Sequence, residues 1–301
     1  MNRQALLLLA ALLAACPSAD DDDDVTADDD DTADDDDSGD DDDSTGDDDD
    51  SAPVGVTSGY CPLDERIGLL SMSHQPPGDV VISGRIWDAP DPQVGEPDLS
   101  TAWCDFHGFD GAGCGPCGDD EVCGISGSCE PAPEARQDVA LTVAVAGAGA
   151  AEVPLAQEAL YYGQFSTVED DPAVDLVASW DGGGFTIEGM TVPRGDVAAN
   201  VQLVGNSCMP GALSAFWTDT GDDAYVATHI DINHHVFAPT FTRCAAPESE
   251  GTWSATAEMI EPLAVVTGLE FQGLDHEHAW AAWTDAGCVQ VVATRRLWVF
   301  P

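Results

Sequence analysis

The chain has 301 residues and a formal net charge of −49, because 57 acidic residues stand against eight basic ones, all of them arginines. This balance argues against nucleic acid as a partner, since duplex binding needs a basic surface that replaces counterions. Residues 54–301 keep 36 of the acids and seven arginines, a charge of −29. They are long enough for one large β domain or two smaller ones.

The N-terminus has the layout of a signal peptide. Arg3 precedes an uninterrupted apolar run from Ala5 to Ala15, which ends in small residues just before Cys16. A helix needs about 20 apolar residues to cross a bilayer, so this shorter run does not predict a permanent span. An ordinary secretory signal, cleaved without modification of Cys16, is the alternative interpretation.

The four residues Leu13-Ala14-Ala15-Cys16 resemble the lipobox of bacterial lipoproteins. The resemblance covers only the first sixteen residues, and it implies a lipid on Cys16 and cleavage before it. Several acyl chains on one residue anchor a protein stably, whereas a single chain binds only marginally. Pro17 rather than an acidic residue follows the cysteine, which by analogy with enterobacterial sorting favours the outer membrane or cell surface over the inner membrane.

An acidic tract from Asp20 to Asp50 follows, with 21 aspartates and no aromatic residue. Its charge and low hydrophobicity predict a disordered, extended tether of up to about 100 Å that binds divalent cations only diffusely. Specific calcium loops combine Asp with Gly and a distal Glu, and this tract lacks that pattern. A lipidated cysteine before Asp-rich repeats also resembles uncharacterised surface lipoproteins of myxobacteria and their relatives, a likeness that implies no activity.

Nine cysteines remain beyond Cys16, and in an exported chain they predict disulfides. Cys114, Cys117, Cys123 and Cys129 lie close together in Gly- and Pro-rich sequence and are interpreted as a two-disulfide knot of open connectivity. A zinc ribbon is the alternative, weakened by the wide second pair. The other candidates are Cys61, Cys104, Cys208, Cys244 and Cys288. We expect Cys61 to pair with Cys104, two of the other three to pair, and one thiol to be left over.

The hydrophobic pattern predicts an all-β protein, an antiparallel β-sandwich with a small disulfide-rich insertion. A hairpin is expected where two β-type runs, 66–72 and 80–87, flank Pro76-Pro77-Gly78. Further strands are expected at 139–145, 174–180, 185–192, 224–232, 253–259, 263–271, 279–283 and 288–299, and a short helix at 155–161. The expected organisation is a signal peptide (1–15), a tether (16–53), a first β segment (54–103), a cysteine-rich knot (104–136) and the main β-sandwich (137–301).

Two histidine clusters are the main candidates for chemistry. Residues two apart in a strand share a face, so each cluster can present two ligands to one side, as zinc requires. The candidate ligands are His229, Asp231, His234, His235, His276 and His278, with Asp275 and Glu277 beside the last two. The alternative is that these side chains are solvated or bind loop backbone groups. No phosphate-binding loop, nucleophile elbow or cofactor motif is recognised.

Eight tryptophans suggest a carbohydrate-binding surface, although most of them can equally fill the sandwich. The sequence therefore favours a lipid-anchored, exported, non-catalytic β-sandwich module that binds a protein or carbohydrate ligand, without a cofactor. A metal-dependent hydrolase that uses the clusters at 229–235 and 275–278 is the second hypothesis.

Overall fold

The computed structural model describes part of the chain. The described residues are 55–75, 79–109, 113–156, 159–167, 171–195, 197–206, 209–231, 240–264, 269, 271 and 273–297. The predictions for the signal peptide, Cys16 and the acidic tract lie outside these residues, as do those for Cys208, His234 and His235. In the described part of the chain, no helix is long and apolar enough to cross a membrane.

A ten-stranded sheet is the largest element of the fold. Its strands, numbered in chain order through the whole protein, are β1 (Gly55–Ser58), β2 (Arg66–Gln75), β3 (Asp79–Ile86), β4 (Leu99–Ser100), β5 (Cys104–His107), β10 (Tyr161–Ser166), β15 (Tyr225–Asp231), β16 (Phe241–Pro247), β18 (Leu274–Thr284) and β19 (Gly287–Leu297). The spatial order is β10-β3-β2-β19-β18-β15-β16-β5-β4, and β1 also pairs with β18. All pairs are antiparallel except β19 with β2, which run parallel. Strands from both ends of the chain therefore share one sheet.

Two smaller sheets pack on this sheet, and the remaining two strands of the described residues form a separate two-stranded ribbon. The four-stranded sheet has the order β12-β11-β8-β9, and the three-stranded sheet has the order β13-β14-β17. Their strands are β8 (Ala140–Val145), β9 (Gly149–Glu152), β11 (Val174–Trp180), β12 (Gly183–Met190), β13 (Ala199–Asn206), β14 (Met209–Trp217) and β17 (Thr252–Ala255), and the ribbon joins β6 (Glu121–Cys123) and β7 (Cys129–Pro131). The helical segments that lie wholly within the described residues are α1 (Ala257–Ile260) and three 3₁₀ turns at Leu63–Glu65, Glu248–Glu250 and Glu261–Leu263.

Two apolar cores lie on the same face of the large sheet. In β11, Leu176 and Ala178 are buried while their neighbours are exposed, the period of two that predicted this strand. The first core joins the four-stranded sheet to β2, β3 and β19, and the second joins the three-stranded sheet to β15, β16 and α1. Leu274 packs in the second core and Ala282 in the first. These two residues are an even number of positions apart on β18, so one face of the large sheet contacts both smaller sheets.

The structure confirms the predicted fold class: the protein is an all-β, largely antiparallel sandwich with a disulfide-rich insertion. The expected hairpin is β2 paired with β3, although its turn at 76–78 lies outside the described residues. Three local predictions are wrong. The strand expected at 253–259 ends at Ala255, after which good helix formers build α1. In the expected 263–271 strand, Leu263 belongs to a 3₁₀ turn and positions 264, 269 and 271 are not in a strand, while 265–268 and 270 lie outside the described residues. Leu155 bridges to Tyr161 where a helix was expected.

All eight cysteines that the structure describes are paired. The knot contains Cys114–Cys123 and Cys117–Cys129. The expected Cys61–Cys104 bond is wrong, because the long-range bonds are Cys61–Cys288 and Cys104–Cys244. Cys104 and Cys244 are direct cross-strand partners on β5 and β16, whereas the chain after β1 brings Cys61 to the start of β19. Both pairings join residues more than a hundred positions apart, which spacing along the chain does not reveal.

Candidate functional site

The two histidine clusters do not meet as far as the structure describes them. Ala227 is paired with Asp275, and Val226 with His276, so alternation places His229 on the face of Asp275 and His276 on the opposite face. His229 is exposed, and its ring lies against Phe241 at 4.7 Å. We call the face of the large sheet that carries His229 and Asp275 the outer face; the inner face packs on the smaller sheets. The hypothesis of a zinc site that joins the clusters finds no support in these positions.

His276 is instead hydrogen-bonded to a buried carboxylate. Its Nε2 lies 2.9 Å from Glu248 Oε2, and both side chains are fully buried. Burial raises the pKa of Glu248, but hydrogen bonds from Thr220 and His276 outweigh it and hold the pKa below its usual range. Burial lowers the pKa of His276 despite the carboxylate. His276 is therefore neutral at neutral pH and donates from Nε2, while its buried Nδ1 has no partner among the described residues.

Other polar groups of the inner face are also engaged within the protein. Nδ1 of His278 lies 2.8 Å from the Thr191 carbonyl. Asp171 is approached within 4 Å by His74, Arg194 and Arg295. These contacts engage Asp171 and His278 within the protein, although the buried Nε2 of His74 has no partner among the described residues. The arrangement is therefore interpreted as structural rather than as a ligand site.

The knot shows one group of potential metal ligands, since the sulfurs of Cys114, Cys117 and Cys129 lie within 4.8 Å of one another. These three cysteines belong to the two disulfides of the knot. Zinc needs the thiolate form of cysteine, which a disulfide does not offer. The geometry therefore favours the disulfide interpretation of this segment over the zinc ribbon.

The most promising site is a cavity of about 580 Å³ on the outer face, which we call the outer cleft. Four separate segments form its walls: 60–65 after β1, the loop 95–97, the β4–β5 region 101–107, and β16. Its side chains combine rings, carboxylates and one guanidinium, namely Tyr60, Asp64, Glu65, Glu96, Trp103, Asp105, His107 and Arg243. Ligand sites in proteins commonly occupy about 300–1,000 Å³ and combine apolar walls with a few placed polar groups.

A second cavity of about 600 Å³ adjoins the outer cleft. The two cavities share Gly95, Glu96 and His107 as lining residues. Nδ1 of His107 donates to the Gly95 carbonyl at 3.0 Å, and its ring stacks on Phe241 at 4.8 Å. Burial lowers the pKa of His107. The shared wall is thus held by a buried ring and a backbone hydrogen bond.

Arg243 packs on Tyr60 in the outer cleft. The guanidinium of Arg243 lies 3.9 Å from the centre of the Tyr60 ring, and no carboxylate of a described residue lies within ion-pair distance of it. Tyr60 donates its hydroxyl hydrogen to Glu277 Oε1 at 2.5 Å. Burial raises the pKa of Glu277 and raises that of Tyr60 well above its usual value. The guanidinium is therefore positioned by a ring and retains donors that can face a ligand.

Disulfides hold the walls of both cavities. Cys61–Cys288 fastens the segment 60–65 to β19, and Cys104–Cys244 joins the two strands that carry Asp105 and Arg243. The knot supports the loop wall, since Ile125 donates its backbone N–H to the Pro92 carbonyl at 3.0 Å and the Gln93 amide donates to the Cys123 carbonyl at 3.2 Å. A site with cross-linked walls loses little conformational freedom when it binds.

The tryptophans form no exposed platform in the described residues. Trp217 and Trp253 are buried, the other five that the structure describes are half-buried, and Trp298 lies outside this set. Trp280 packs on the first core and Trp283 beside Cys61 and Cys288, on opposite faces as the strand period predicts. Trp103 lines the outer cleft and is the indole placed best to contact a ligand.

Sequence reasoning missed Tyr60, Trp103, Asp105 and Arg243, although a signal was present. Each of them is the immediate neighbour of a long-range disulfide cysteine, in the dipeptides 60–61, 103–104, 104–105 and 243–244. Cys104 and Cys244 point into the second core. In a strand, the neighbours of an inward residue point outward, so Asp105 and Arg243 have to face the opposite side.

Comparison with known proteins adds little to this site. No protein family matches the chain, and no curated protein is similar to it. The solved structure described as chicken CNTN1 FN1-FN3 domains is similar at 12% sequence identity over 72% of this chain and 76% of that chain, with a TM-score of 0.16. A likeness at that level carries no conclusion about this protein, so the functional proposal rests on its own residues.

Proposed function

We propose that this protein is an exported module, anchored to a membrane through a lipidated Cys16, that binds a ligand in the outer cleft without chemical turnover. The observation that carries the binding role is the outer cleft itself, built from four chain segments and held by the bonds Cys61–Cys288 and Cys104–Cys244. Disulfides of this kind form in oxidising compartments, which supports export. The Asp-rich tract at 20–50 is the spacer between anchor and module.

Metabolic labelling with palmitate tests the anchor. The wild-type protein is expected to incorporate the label and to fractionate with the outer membrane or cell surface, while Cys16→Ala is expected to be unlabelled and released. Cys208→Ala is the matched control, because it removes a cysteine outside the lipobox. A Cys16→Ala variant that stays in the membrane fraction contradicts the anchor.

A substitution that fills the outer cleft tests the binding role without assuming a ligand class. Ala102 is exposed at the rim of the cleft, so Ala102→Trp obstructs it without entering a core. Ala150→Trp, on the exposed strand β9, is the control. Calorimetry with a panel of neutral glycans, acidic glycans and peptides is expected to find a ligand that binds the wild type and Ala150→Trp but not Ala102→Trp. Equal binding by Ala102→Trp, or no binding by any member, contradicts the role.

Mass spectrometry of the recovered ligand tests the absence of turnover. The bound compound is expected to return unchanged after prolonged incubation. Any cleavage contradicts a purely binding role. Cleavage that zinc stimulates and exhaustive chelation abolishes revives the hypothesis of a metal-dependent hydrolase.

A further inference from the structure

The outer cleft and the second cavity share three lining residues, and the chemistry of their linings indicates a ligand class. We propose that the two cavities together bind a linear, uncharged oligosaccharide, with one stretch of sugar units in each cavity. This inference rests on the proposed binding function, because it names the ligand of the same site.

The first observation is the size and arrangement of the site. The two cavities, of about 580 and 600 Å³, adjoin at Gly95, Glu96 and His107, which line both of them. Each is already large enough for a compact small molecule, since typical ligand pockets measure about 300–1,000 Å³. Two such cavities with a common wall fit an extended ligand better than a compact one. A linear polymer of repeating units meets that requirement.

The second observation is the chemistry of the walls. Asp64, Glu65 and Asp105 offer carboxylate oxygens as acceptors, while Arg243 offers donors. Sugar hydroxyls both donate and accept, so they can satisfy both kinds of group at once. Trp103 supplies an apolar ring on which the C–H face of a sugar can lie. This mixture is poorly suited to a wholly apolar ligand, which would leave the carboxylates and the guanidinium without partners.

The negative charge of the site favours neutral sugars over acidic ones as ligands. The outer cleft has four carboxylates, from Asp64, Glu65, Glu96 and Asp105, against a single arginine. The surrounding module has a net charge of −29. A polyanionic glycan would be repelled before contact and inside the site. An uncharged chain meets no such barrier, and its binding is expected to be insensitive to salt.

The second cavity differs from the first in being more apolar. Ile125 of the knot is 58% exposed and lines it together with Phe106 and Phe109. The Cδ1 atom of Ile125 packs so closely on Gly95 that a Cβ there would lie 2.5 Å from it. The cysteine-rich insertion therefore contributes a side chain to the site itself, in addition to supporting the loop wall. Removing that side chain is expected to affect only a ligand long enough to reach the second cavity.

Binding as a function of chain length tests the proposal on the intact, disulfide-bonded protein. The probes are size ladders of uncharged glucans, mannans, galactans, xylans and N-acetylhexosamine oligomers, from monomers to hexamers, with uronic acid oligomers and lysine-rich peptides for comparison. For at least one neutral ladder, we expect affinity to rise about tenfold or more with length, because units in the second cavity add contacts. The rise is expected to persist in high salt.

Three variants locate the binding. Ala102→Trp is expected to abolish binding of every length, whereas Ile125→Ala is expected to weaken only the longer oligomers by about tenfold, back to the affinity of the short ones. Val204→Ala, which shortens another exposed aliphatic side chain on β13, is the control and is expected to change nothing. Non-reducing mass spectrometry verifies that each variant keeps its disulfides.

The outcomes separate this inference from the proposed function. If only lysine-rich peptides or acidic oligomers bind, and Ala102→Trp abolishes that binding, the outer cleft is a binding site but the neutral oligosaccharide is wrong. If neutral sugars bind with no dependence on length or on Ile125, the two-cavity arrangement is wrong. If no probe binds, or Ala102→Trp binds as well as the wild type, both proposals fail.

Discussion

His276 and Glu248 meet at 2.9 Å with no solvent contact, between β18 and the 3₁₀ turn that follows β16. The backbone of the turn is tied in as well, because the Trp217 indole donates to the Glu248 carbonyl at 2.7 Å. The pair therefore links the large sheet to the three-stranded sheet. A buried hydrogen bond of this kind is costly to break, since the remaining partner is left unsatisfied.

Replacement of Glu248 by glutamine is expected to destabilise the protein by about 1–3 kcal/mol. The carboxylate accepts from both Thr220 and His276, and the amide has only one oxygen to serve them. Urea unfolding measures the loss. Glu250→Gln, an exposed position in the same turn, is the control and is expected to change stability by less than about 0.5 kcal/mol. Equal losses of stability in the two variants contradict a stabilising role for the buried Glu248 carboxylate.

Buried neutral histidines are expected to make the stability of the protein depend on pH. Burial lowers the pKa of His107, so protonation favours the unfolded chain. Its contribution to stability is present above about pH 6.5 and is lost as the pH falls below that value. Glu277 acts in the opposite sense because its pKa is raised, so the test has to isolate the histidine.

His107→Asn provides that comparison, because an asparagine amide can still donate to the Gly95 carbonyl. Stability is measured for wild type and variant by urea unfolding from about pH 7 to about pH 5. The advantage of the wild type is expected to shrink steadily below about pH 6.5. An advantage that stays constant or grows on acidification shows that His107 does not have a lowered pKa.

Tyr60→Phe is expected to lower the free energy of unfolding by about 1–3 kcal/mol, because the buried Glu277 carboxyl loses its shortest hydrogen bond. The loss penalises the ionised carboxylate, so the pKa of Glu277 rises further. The cost is consequently expected to be larger at pH 8 than at pH 5, where the carboxyl is more fully protonated. Thermal unfolding at both pH values measures it. Tyr162→Phe, on an exposed residue of β10, should show no such difference.

The two classes of disulfide are expected to differ in their effect on stability. Cys104–Cys244 closes a loop with a sequence separation of 140, whereas Cys114–Cys123 closes one of 9. Removal of the first by paired alanine substitutions is expected to cost about 2–5 kcal/mol of global stability. Removal of the second is expected to cost less, because it constrains a much shorter loop. Unfolding under non-reducing conditions compares them, and a larger loss from the Cys114–Cys123 variant contradicts the expectation.

The sequence alone was sufficient for properties that depend on local pattern. Alternation in 174–180 and 185–192 predicted β11 and β12, because the side-chain period of a strand is local. It failed at 253–259, where the chain turns from β17 into α1 within one β-type run. Short apolar segments of this kind are ambiguous until tertiary packing decides between strand and helix.

The outer cleft could be identified only from the tertiary structure. The number of cysteines and the oxidising compartment they imply follow from composition, but the partners of Cys61 and Cys104 depend on which strands are neighbours in the sheet. The same pairing put His229 and His276 on opposite faces and brought Tyr60 to Arg243 across most of the chain. Strand pairing between distant segments is a non-local property, because it depends on how whole faces pack. The residues of the outer cleft are therefore separated in sequence and adjacent only in the fold.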